Sequence, residues 1–148
     1  MDIQDIRVEI ARDADQELVD AFGRLLPQLS ATARPLDLQA VDRILRCEAN
    51  TVLVARADGV IVGTLSLVMF PLPSGLRARI EDVVVDAQAR GRGIAGMLLR
   101  EAVRIAGEAG ARSVDLTSRP ERTAANRLYE RLGFQARESK VYRLSPGG

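Results

Sequence analysis

The chain reads Gln88-Ala89-Arg90-Gly91-Arg92-Gly93-Ile94-Ala95 between a predicted strand and a predicted helix. The run Val83-Val84-Val85 before it is typical of a buried strand, and apolar residues recur at helical spacing over residues 94–105. Glycines let a backbone approach a ligand closely, and the free N–H groups at a helix N-terminus attract anions. Arg90 and Arg92 add positive charge at the same place. The stretch therefore predicts an anion-binding turn.

Two familiar phosphate motifs fit this turn poorly. The phosphate loop of nucleotide-hydrolysing proteins requires Gly-Lys-Ser/Thr, whereas Gly93 is followed by Ile94 and Ala95. A dinucleotide fingerprint requires a third glycine and a later acidic residue, and Gly96 and Asp115 have suitable positions. However, the strand before this turn is the fourth and follows a hairpin, whereas the fingerprint follows the first strand of a βαβ unit. The residues of the turn alone leave its anion unnamed.

The composition is that of one ordinary globular domain. The chain has 148 residues, of which 47% are apolar and 28% charged, and its net charge is +1. Such a small net charge gives no long-range attraction to nucleic acid or to a membrane surface. The aromatic content of 3% also argues against base stacking. We therefore expect no nucleic-acid partner and no membrane partner.

The absence of histidine excludes several kinds of catalytic site. Neither a Ser-His-Asp triad nor a Cys-His pair can form, and the common zinc sites are excluded, so we expect no metal. The single cysteine, Cys47, excludes an internal disulfide and fits a reducing compartment. Because no apolar run reaches the length of a membrane span and the N-terminus lacks a signal pattern, the predicted location is the cytoplasm.

Alternating and helical patterns predict a mixed sheet with helices on both of its faces. Asp58-Gly59 between two apolar runs indicates a tight hairpin, and Asp13 is the predicted N-cap of the first helix. The third helix would supply the crossover to a parallel strand. Strands are predicted over residues 6–11, 51–56, 60–69, 77–86 and 113–118, with a final hairpin or strand pair over 134–144. Helices are predicted over residues 13–29, 38–47, 91–109 and 123–132.

A second motif follows the fifth predicted strand. It reads Ala125-Asn126-Arg127-Leu128-Tyr129-Glu130-Arg131-Leu132-Gly133-Phe134. Together with the stretch at residues 88–93, it resembles the two signature motifs of the GCN5-related N-acetyltransferase (GNAT) superfamily. The first matches that family's Gln/Arg-x-x-Gly-x-Gly/Ala loop at every specified position, and the second matches Asn-x-x-Tyr followed by Gly-Phe. The resemblance covers roughly residues 50–144.

The resemblance implies a fold for the whole chain. The expected class is α/β (mixed α+β), with a single mixed, mostly antiparallel sheet of six or seven strands and about four helices on both faces. The fourth and fifth strands of this fold splay apart and leave a cleft between them. We accordingly expect residues 1–148 to form a single N-acetyltransferase domain.

The resemblance also implies acetyl-CoA as the cosubstrate. Backbone N–H groups from Arg90 to Ala95 would hold the pyrophosphate, and the pantetheine arm would pair with the run Val83-Val84-Val85 as a pseudo-strand. One N–H group of that run would polarise the thioester carbonyl. The implied contact residues are Val83, Val84, Val85, Gln88, Arg90, Gly91, Arg92, Gly93, Ile94, Ala95, Asn126 and Tyr129.

Asn126 and Tyr129 lie three residues apart on a predicted helix, so they project from neighbouring positions on one face. By resemblance, Asn126 would bond the pantetheine, and Tyr129 would donate a proton to the departing CoA thiolate as general acid. The alternative for Tyr129 is a half-buried packing role beside Leu128 and Leu132.

The general base is left open among Glu81, Asp82 and a water chain, with Glu81 favoured. The run at residues 80–85 looks like the matching strand of glucosamine-6-phosphate N-acetyltransferases, where acidic residues lie near the acceptor. Strict alternation would place Asp82 on the face of Ile80 and Val84, and Glu81 on the opposite face. The alternative is a structural carboxylate paired with Arg77, Arg79 or a backbone N–H group.

The expected function is acetyl transfer from acetyl-CoA to a primary amine of a small molecule by direct attack. In the family, segments corresponding to residues 25–38 and 70–77 build the acceptor pocket. The alternatives are a protein lysine or N-terminal acetyltransferase, a non-catalytic acyl-CoA sensor, and an interaction module without a ligand. Dimerisation is common in this fold, so a homodimer is a further expectation that no single sequence feature fixes.

Overall fold

The computed structural model describes residues 5–147. These residues form two compact units that meet between Thr117 and Ser118, and each unit is described by itself. The first contains β1 (Ile6–Ile10), α1 (Gln16–Leu29), α2 (Leu38–Arg46), β2 (Asn50–Ala57), β3 (Val60–Leu72), β4 (Gly75–Val85), a 3-10 turn (Ala87–Ala89), α3 (Ile94–Glu108) and β5 (Val114–Asp115). The second contains α4 (Thr123–Arg131). The prediction of a single domain over residues 1–148 stays a prediction.

The five strands of the first unit form one sheet in the order β1-β2-β3-β4-β5. The first four strands pair antiparallel with their neighbours, and β5 pairs parallel with β4 after the crossover through α3. This mixed, mostly antiparallel sheet confirms the predicted fold class. Asp58 and Gly59 both have positive φ, 49° and 88°, and they close the predicted hairpin between β2 and β3.

The described residues contain fewer strands than predicted, and the fifth strand is shorter than predicted. The sheet has five strands instead of six or seven, because no strand forms over residues 134–144. In that segment Val141, Tyr142 and Leu144 are 72%, 88% and 87% exposed, so they gain little of the apolar burial that stabilises a strand. The fifth strand is limited to Val114–Asp115, where the chain leaves β4.

The start of α1 also differs from the prediction. Its N-cap is Asp15 instead of Asp13, because the carboxylate of Asp15 accepts the N–H of Leu18 at 2.9 Å. Asp37 caps α2 in the same way, by accepting the N–H of Ala40 at 2.8 Å. Across residues 5–147, no helix is both long and apolar enough to cross a membrane.

Helices cover both faces of the sheet. On one face, Phe22 and Leu25 of α1 join Val41 of α2 in a buried cluster that includes Val54 and Val84. On the other face α3 comes so close that a Cβ added to Gly63 would lie 3.3 Å from the Leu98 side chain. A glycine at this point of β3 therefore lets the helix pack directly against the sheet.

Candidate functional site

β4 is paired on both edges over only part of its length. Its pairing with β5 consists of Ala78 opposite Val114 and Arg79 opposite Asp115. Its pairing with β3 continues to Val85. Between residues 80 and 85, the edge of β4 that faces away from β3 therefore has no strand partner in the first unit. This one-sided segment is the splay expected between the fourth and fifth strands.

A β-bulge begins the one-sided segment. Ser66 lies opposite Glu81 and Thr64 lies opposite Val84, so two β4 residues, Asp82 and Val83, oppose a single residue of β3. Asp82 takes a left-handed backbone conformation with φ 51°, which aspartate tolerates better than most residues. The bulge bends the strand at the point where the fifth strand has left it.

The bulge overturns the face assignment made from alternation. Ile80 is opposite Leu67 and Val84 is opposite Thr64, and these β3 residues are three apart, so they point to opposite faces. Val84 accordingly joins the cluster under α1, whereas Ile80 is buried on the α3 face. The predicted common face for Ile80, Asp82 and Val84 is wrong, because one inserted residue reverses the alternation.

The two carboxylates of β4 have different surroundings. Glu81 accepts a close hydrogen bond from Nε of Arg79, whose Nη2 also donates to the Thr117 hydroxyl at 2.6 Å. This is the structural pairing that the sequence left open for Glu81. Partial burial raises the pKa of Asp82 above its usual value, and the nearby Glu81 carboxylate raises the same pKa further. Asp82 thus holds its proton more tightly than an ordinary aspartate does.

The anion-binding turn starts directly after β4. Its N–H groups at residues 87–89 are all used by the protein: Gln28 accepts from Ala87, the Asp86 carboxylate from Gln88, and the Asp86 carbonyl from Ala89. The two glycines that follow have positive φ, 81° at Gly91 and 77° at Gly93, and a Cβ added at either would meet open space. The backbone is therefore exposed to a ligand at both glycines.

The N-terminus of α3 continues the turn without a cap. Gly93 occupies the N-cap position, and no side chain accepts a hydrogen bond there. The first helical bond runs from the N–H of Met97 to the carbonyl of Gly93 at 3.1 Å. The N–H groups of Ile94, Ala95 and Gly96 are therefore not used by the helix and lie at the positive end of its dipole. This arrangement suits a diphosphate group.

The two arginines of the turn are arranged differently. Arg90 donates from Nε to the carbonyl of Val85 at 3.3 Å, which ties its side chain to the end of β4. Arg92 is exposed. The Nη groups of Arg90 and the whole guanidinium of Arg92 can still contact a phosphate.

The second unit carries Asn126 and Tyr129 on α4. The side-chain amide of Asn126 donates to the carbonyl of Arg119 at 3.0 Å, so its side-chain oxygen is left as an acceptor. Tyr129 is half-buried, and its ring meets that of Phe134 edge to face at a centroid distance of 6.1 Å. Gly133 ends the helix with φ 101° and turns Phe134 back toward Tyr129.

The structure thus brings the predicted residues into two groups. Glu81, the run at residues 83–85 and the turn at residues 88–95 are contiguous in the first unit, and Asn126 and Tyr129 share one helix in the second. Sequence reasoning missed Gln28, because its contact with Ala87 joins residues 59 apart and no local pattern signals it. Asp86 was missed as well, although an Asp before a short turn is a recognisable cap.

The described part of the chain contains no group of three or more Cys, Asp or Glu side chains that could hold a metal ion. The model of the acetyltransferase (GNAT) family matches residues 15–134. The chain belongs to the GNAT acetyltransferase family. It is an N-acetyltransferase, and its family uses acetyl-CoA.

Two curated relatives and one solved structure support this assignment over most of the chain. The chain is 35% identical over 138 residues to a protein of Oryza sativa subsp. japonica named "Probable glucosamine 6-phosphate N-acetyltransferase 2", covering 86% of this chain and 81% of the relative. It is 31% identical over 148 residues to a glucosamine 6-phosphate N-acetyltransferase of Trypanosoma brucei brucei, covering 95% and 96%. A crystal structure of a Trypanosoma brucei acetyltransferase has a TM-score of 0.78 and 29% identity, covering 95% of this chain and 99% of that one.

Proposed function

We propose that this N-acetyltransferase transfers the acetyl group of acetyl-CoA to the primary amine of a small molecule by direct attack. The observation that carries the proposal is the one-sided segment of β4, which runs directly into the glycine turn and the uncapped end of α3. An extended pantetheine arm would lie along the first part, and a pyrophosphate would lie at the second.

The proposed cosubstrate fits the residues of the first unit. The open space at Gly91 and Gly93 allows phosphate oxygens to reach the backbone, and the N–H groups of Ile94 and Ala95 point from the positive helix end. Gln88, Arg90 and Arg92 would line the same turn. The backbone groups of residues 83–85 on the open edge of β4 would hold the arm, and one N–H group there would stabilise negative charge on the thioester oxygen.

The two carboxylates of β4 support a division of roles. The role of Glu81 as the base stays a prediction, but its bond to Arg79 favours a positioning role for this carboxylate. Asp82 remains accessible to solvent, and the same partial burial that raises its pKa makes it a better proton acceptor than an ordinary aspartate. We therefore propose Asp82 as the group that takes the proton from the substrate ammonium, directly or through one water.

Two residues of the second unit have proposed roles. Tyr129 is proposed as the general acid that protonates the departing thiolate, because its hydroxyl can donate while its ring is held by Phe134. Asn126 is proposed to bond the pantetheine through its free side-chain oxygen. Both roles come from the family motif, and mutation of each residue tests them.

An amino sugar phosphate is the first acceptor to test. Both curated relatives reported above are named for glucosamine 6-phosphate, and each is more than 30% identical over most of its length. In the first unit Arg77 offers a cation at the end of the predicted acceptor segment: its Nη2 donates to the Ser74 hydroxyl at 3.0 Å, and its Nε is buried without a protein acceptor among the described residues, which leaves the Nη groups to face a ligand. A phosphate could accept from this guanidinium.

The decisive experiment has two stages. Thermal melting with CoA should raise the midpoint by mass action, and an unchanged midpoint would contradict the cosubstrate. Release of free CoA thiol from acetyl-CoA should then be measured with glucosamine 6-phosphate, glucosamine, a polyamine, free amino acids and a lysine peptide. Turnover with one of the small amines supports the proposal. Turnover with the peptide alone would favour the protein-acetyltransferase alternative, and binding without any turnover would favour the sensor.

The homodimer and the cytoplasmic location stay part of this proposal. Sedimentation velocity with and without CoA would measure the oligomeric state. Fractionation of cells that express the chain at natural level would measure its location.

A further inference from the structure

The last turn of α1 contacts the anion-binding turn through one side chain. Oε1 of Gln28 accepts the N–H of Ala87 at 2.9 Å, and its Nε2 donates to the carbonyl of Arg24 at 3.1 Å. Both ends of the amide are therefore hydrogen-bonded within the protein, although the side chain is exposed. Ala87 is the first residue of the 3-10 turn that leads into Arg90 and the two glycines.

The end of α1 lacks one of its backbone hydrogen bonds. Pro27 lies inside the last turn and has no N–H group to donate to the carbonyl of Gly23, so this turn lacks one of its own bonds. Arg24, one helical turn before Gln28, donates from Nη2 to the carbonyl of Ile61 in β3 at 2.9 Å. Two side chains on one helix face thus attach the end of α1 to the sheet and to the turn after β4.

The chain on the other side of Gln28 leads into the predicted acceptor region. The helix ends at Leu29, Ser30 is its C-cap, and residues 31–37 form the connection to α2. A shift of the anion-binding turn on ligand binding would therefore move Gln28, which lies just before this connection. The contact is exposed to solvent, and both of its residues belong to the first unit.

We propose that Gln28 is a positioning residue that couples the occupancy of the pyrophosphate turn to the order of the acceptor segment at residues 30–37. The inference rests on the proposed function, because it assumes that the turn binds the CoA pyrophosphate. The hydrogen bond from the Ala87 N–H to Gln28 holds the start of the turn in the conformation that exposes the N–H groups of residues 94–96. By thermodynamic reciprocity, CoA binding then favours the ordered form of residues 30–37.

The test is a double-mutant cycle on CoA affinity, measured by titration calorimetry. Gln28→Met keeps the length and helix propensity of the side chain but removes the acceptor. Ala87→Pro removes the donor, and it is compatible with the extended backbone of Asp86 before it, φ −50° and ψ 134°. We expect Gln28→Met to raise the Kd for CoA about threefold to tenfold in the wild-type background and to have no effect in the Ala87→Pro background.

The matched control is Gln16→Met at the opposite end of the same helix, where the amide contacts only Asp20 in the described structure. It should leave the CoA affinity unchanged. In hydrogen exchange, CoA should protect amides of residues 30–37 in the wild-type chain and not in Gln28→Met, an effect that a merely structural role would not produce. An unchanged Kd in Gln28→Met, an equal loss in both backgrounds, or equal protection of residues 30–37 in both chains would overturn the inference. If the wild-type chain failed to bind CoA, the proposed function itself would fail instead.

Discussion

The two ends of β4 belong to one strand but have different neighbours. Residues 75–79 lie beside β3 and lead up to the contact with β5, whereas residues 80–85 are paired with β3 alone. A bulge at Asp82 lies within the second end, and the glycine turn follows it. In the first end the backbone groups serve the sheet. In the second end, the backbone N–H and C=O groups on the edge away from β3 have no strand partner and can bind a ligand. One strand thus contributes to both folding and the proposed binding.

The comparison also explains where the carboxylates lie. Arg79 is the last β4 residue that is paired with β5. Its side chain donates hydrogen bonds to Thr117, which follows β5, and to Glu81, which lies in the one-sided segment of β4. Asp82 lies past this network, within the one-sided segment. The proposed base therefore lies in the part of β4 that is no longer paired with β5.

The largest expected effect comes from Asp82→Asn. If Asp82 is the base, kcat should fall about 100-fold to 1,000-fold, while stability is kept because asparagine also tolerates positive φ. Because the pKa of Asp82 is raised and the base must be deprotonated, wild-type kcat should rise with pH through that pKa and fall below it. The pH profile of the variant should lose this step.

Glu81→Gln is the control for that experiment, because it changes the neighbouring carboxylate that bonds to Arg79. It should lower kcat less than Asp82→Asn does and keep a pH-dependent step. The reverse order of effects would restore Glu81 as the base.

Tyr129→Phe should lower kcat about 10-fold to 100-fold by removing the proposed acid, with little change in the KM for acetyl-CoA. The ring contact with Phe134 should survive, since only the hydroxyl is lost. Tyr142→Phe is the matched control, because Tyr142 is the other tyrosine of the chain and is 88% exposed. Equal rates for the two variants would leave Tyr129 with a packing role only.

Gly93→Ala should raise the Kd for CoA about tenfold, because a Cβ would point into the space proposed for the phosphate and the φ of 77° would be strained. Gly110→Ala imposes a similar strain, at φ 86° and in open space, but at the far end of α3. Calorimetry should therefore show weaker CoA binding in the first variant alone. Denaturation should show a comparable stability loss of about 1 kcal/mol in both.

Thr117→Val should have the smallest effect. It removes the hydroxyl that accepts from Arg79, and because Thr117 is exposed and Arg79 is only partly buried, the free energy of unfolding should fall by about 1 kcal/mol or less. Urea denaturation would measure this loss. In an Arg79→Ala background the same substitution should have no effect, and a persistent loss there would mean that Thr117 acts through another contact.

Much of the fold was predictable because its signals are local. Asp58-Gly59 determines a hairpin through two residues that accept positive φ, and Gly133 ends α4 for the same reason. The bounds of α2, α3 and α4 follow from apolar spacing to within a few residues. The strands expected over residues 134–144 were wrong for the described structure, because alternation does not supply a partner surface.

By itself the sequence determined the family, through the glycine turn at residues 88–93 and the motif at residues 126–134. These motifs are readable because each depends on neighbouring residues: backbone freedom, helix polarity and positions on one helix face. Only the tertiary structure decided that Ile80 and Val84 face opposite ways, that Arg79 holds Glu81, and that Gln28 contacts Ala87. The first of these follows from a bulge that is defined only by the partner strand. The other two follow from side chains that the strand pleat or the packing of a distant helix brings together.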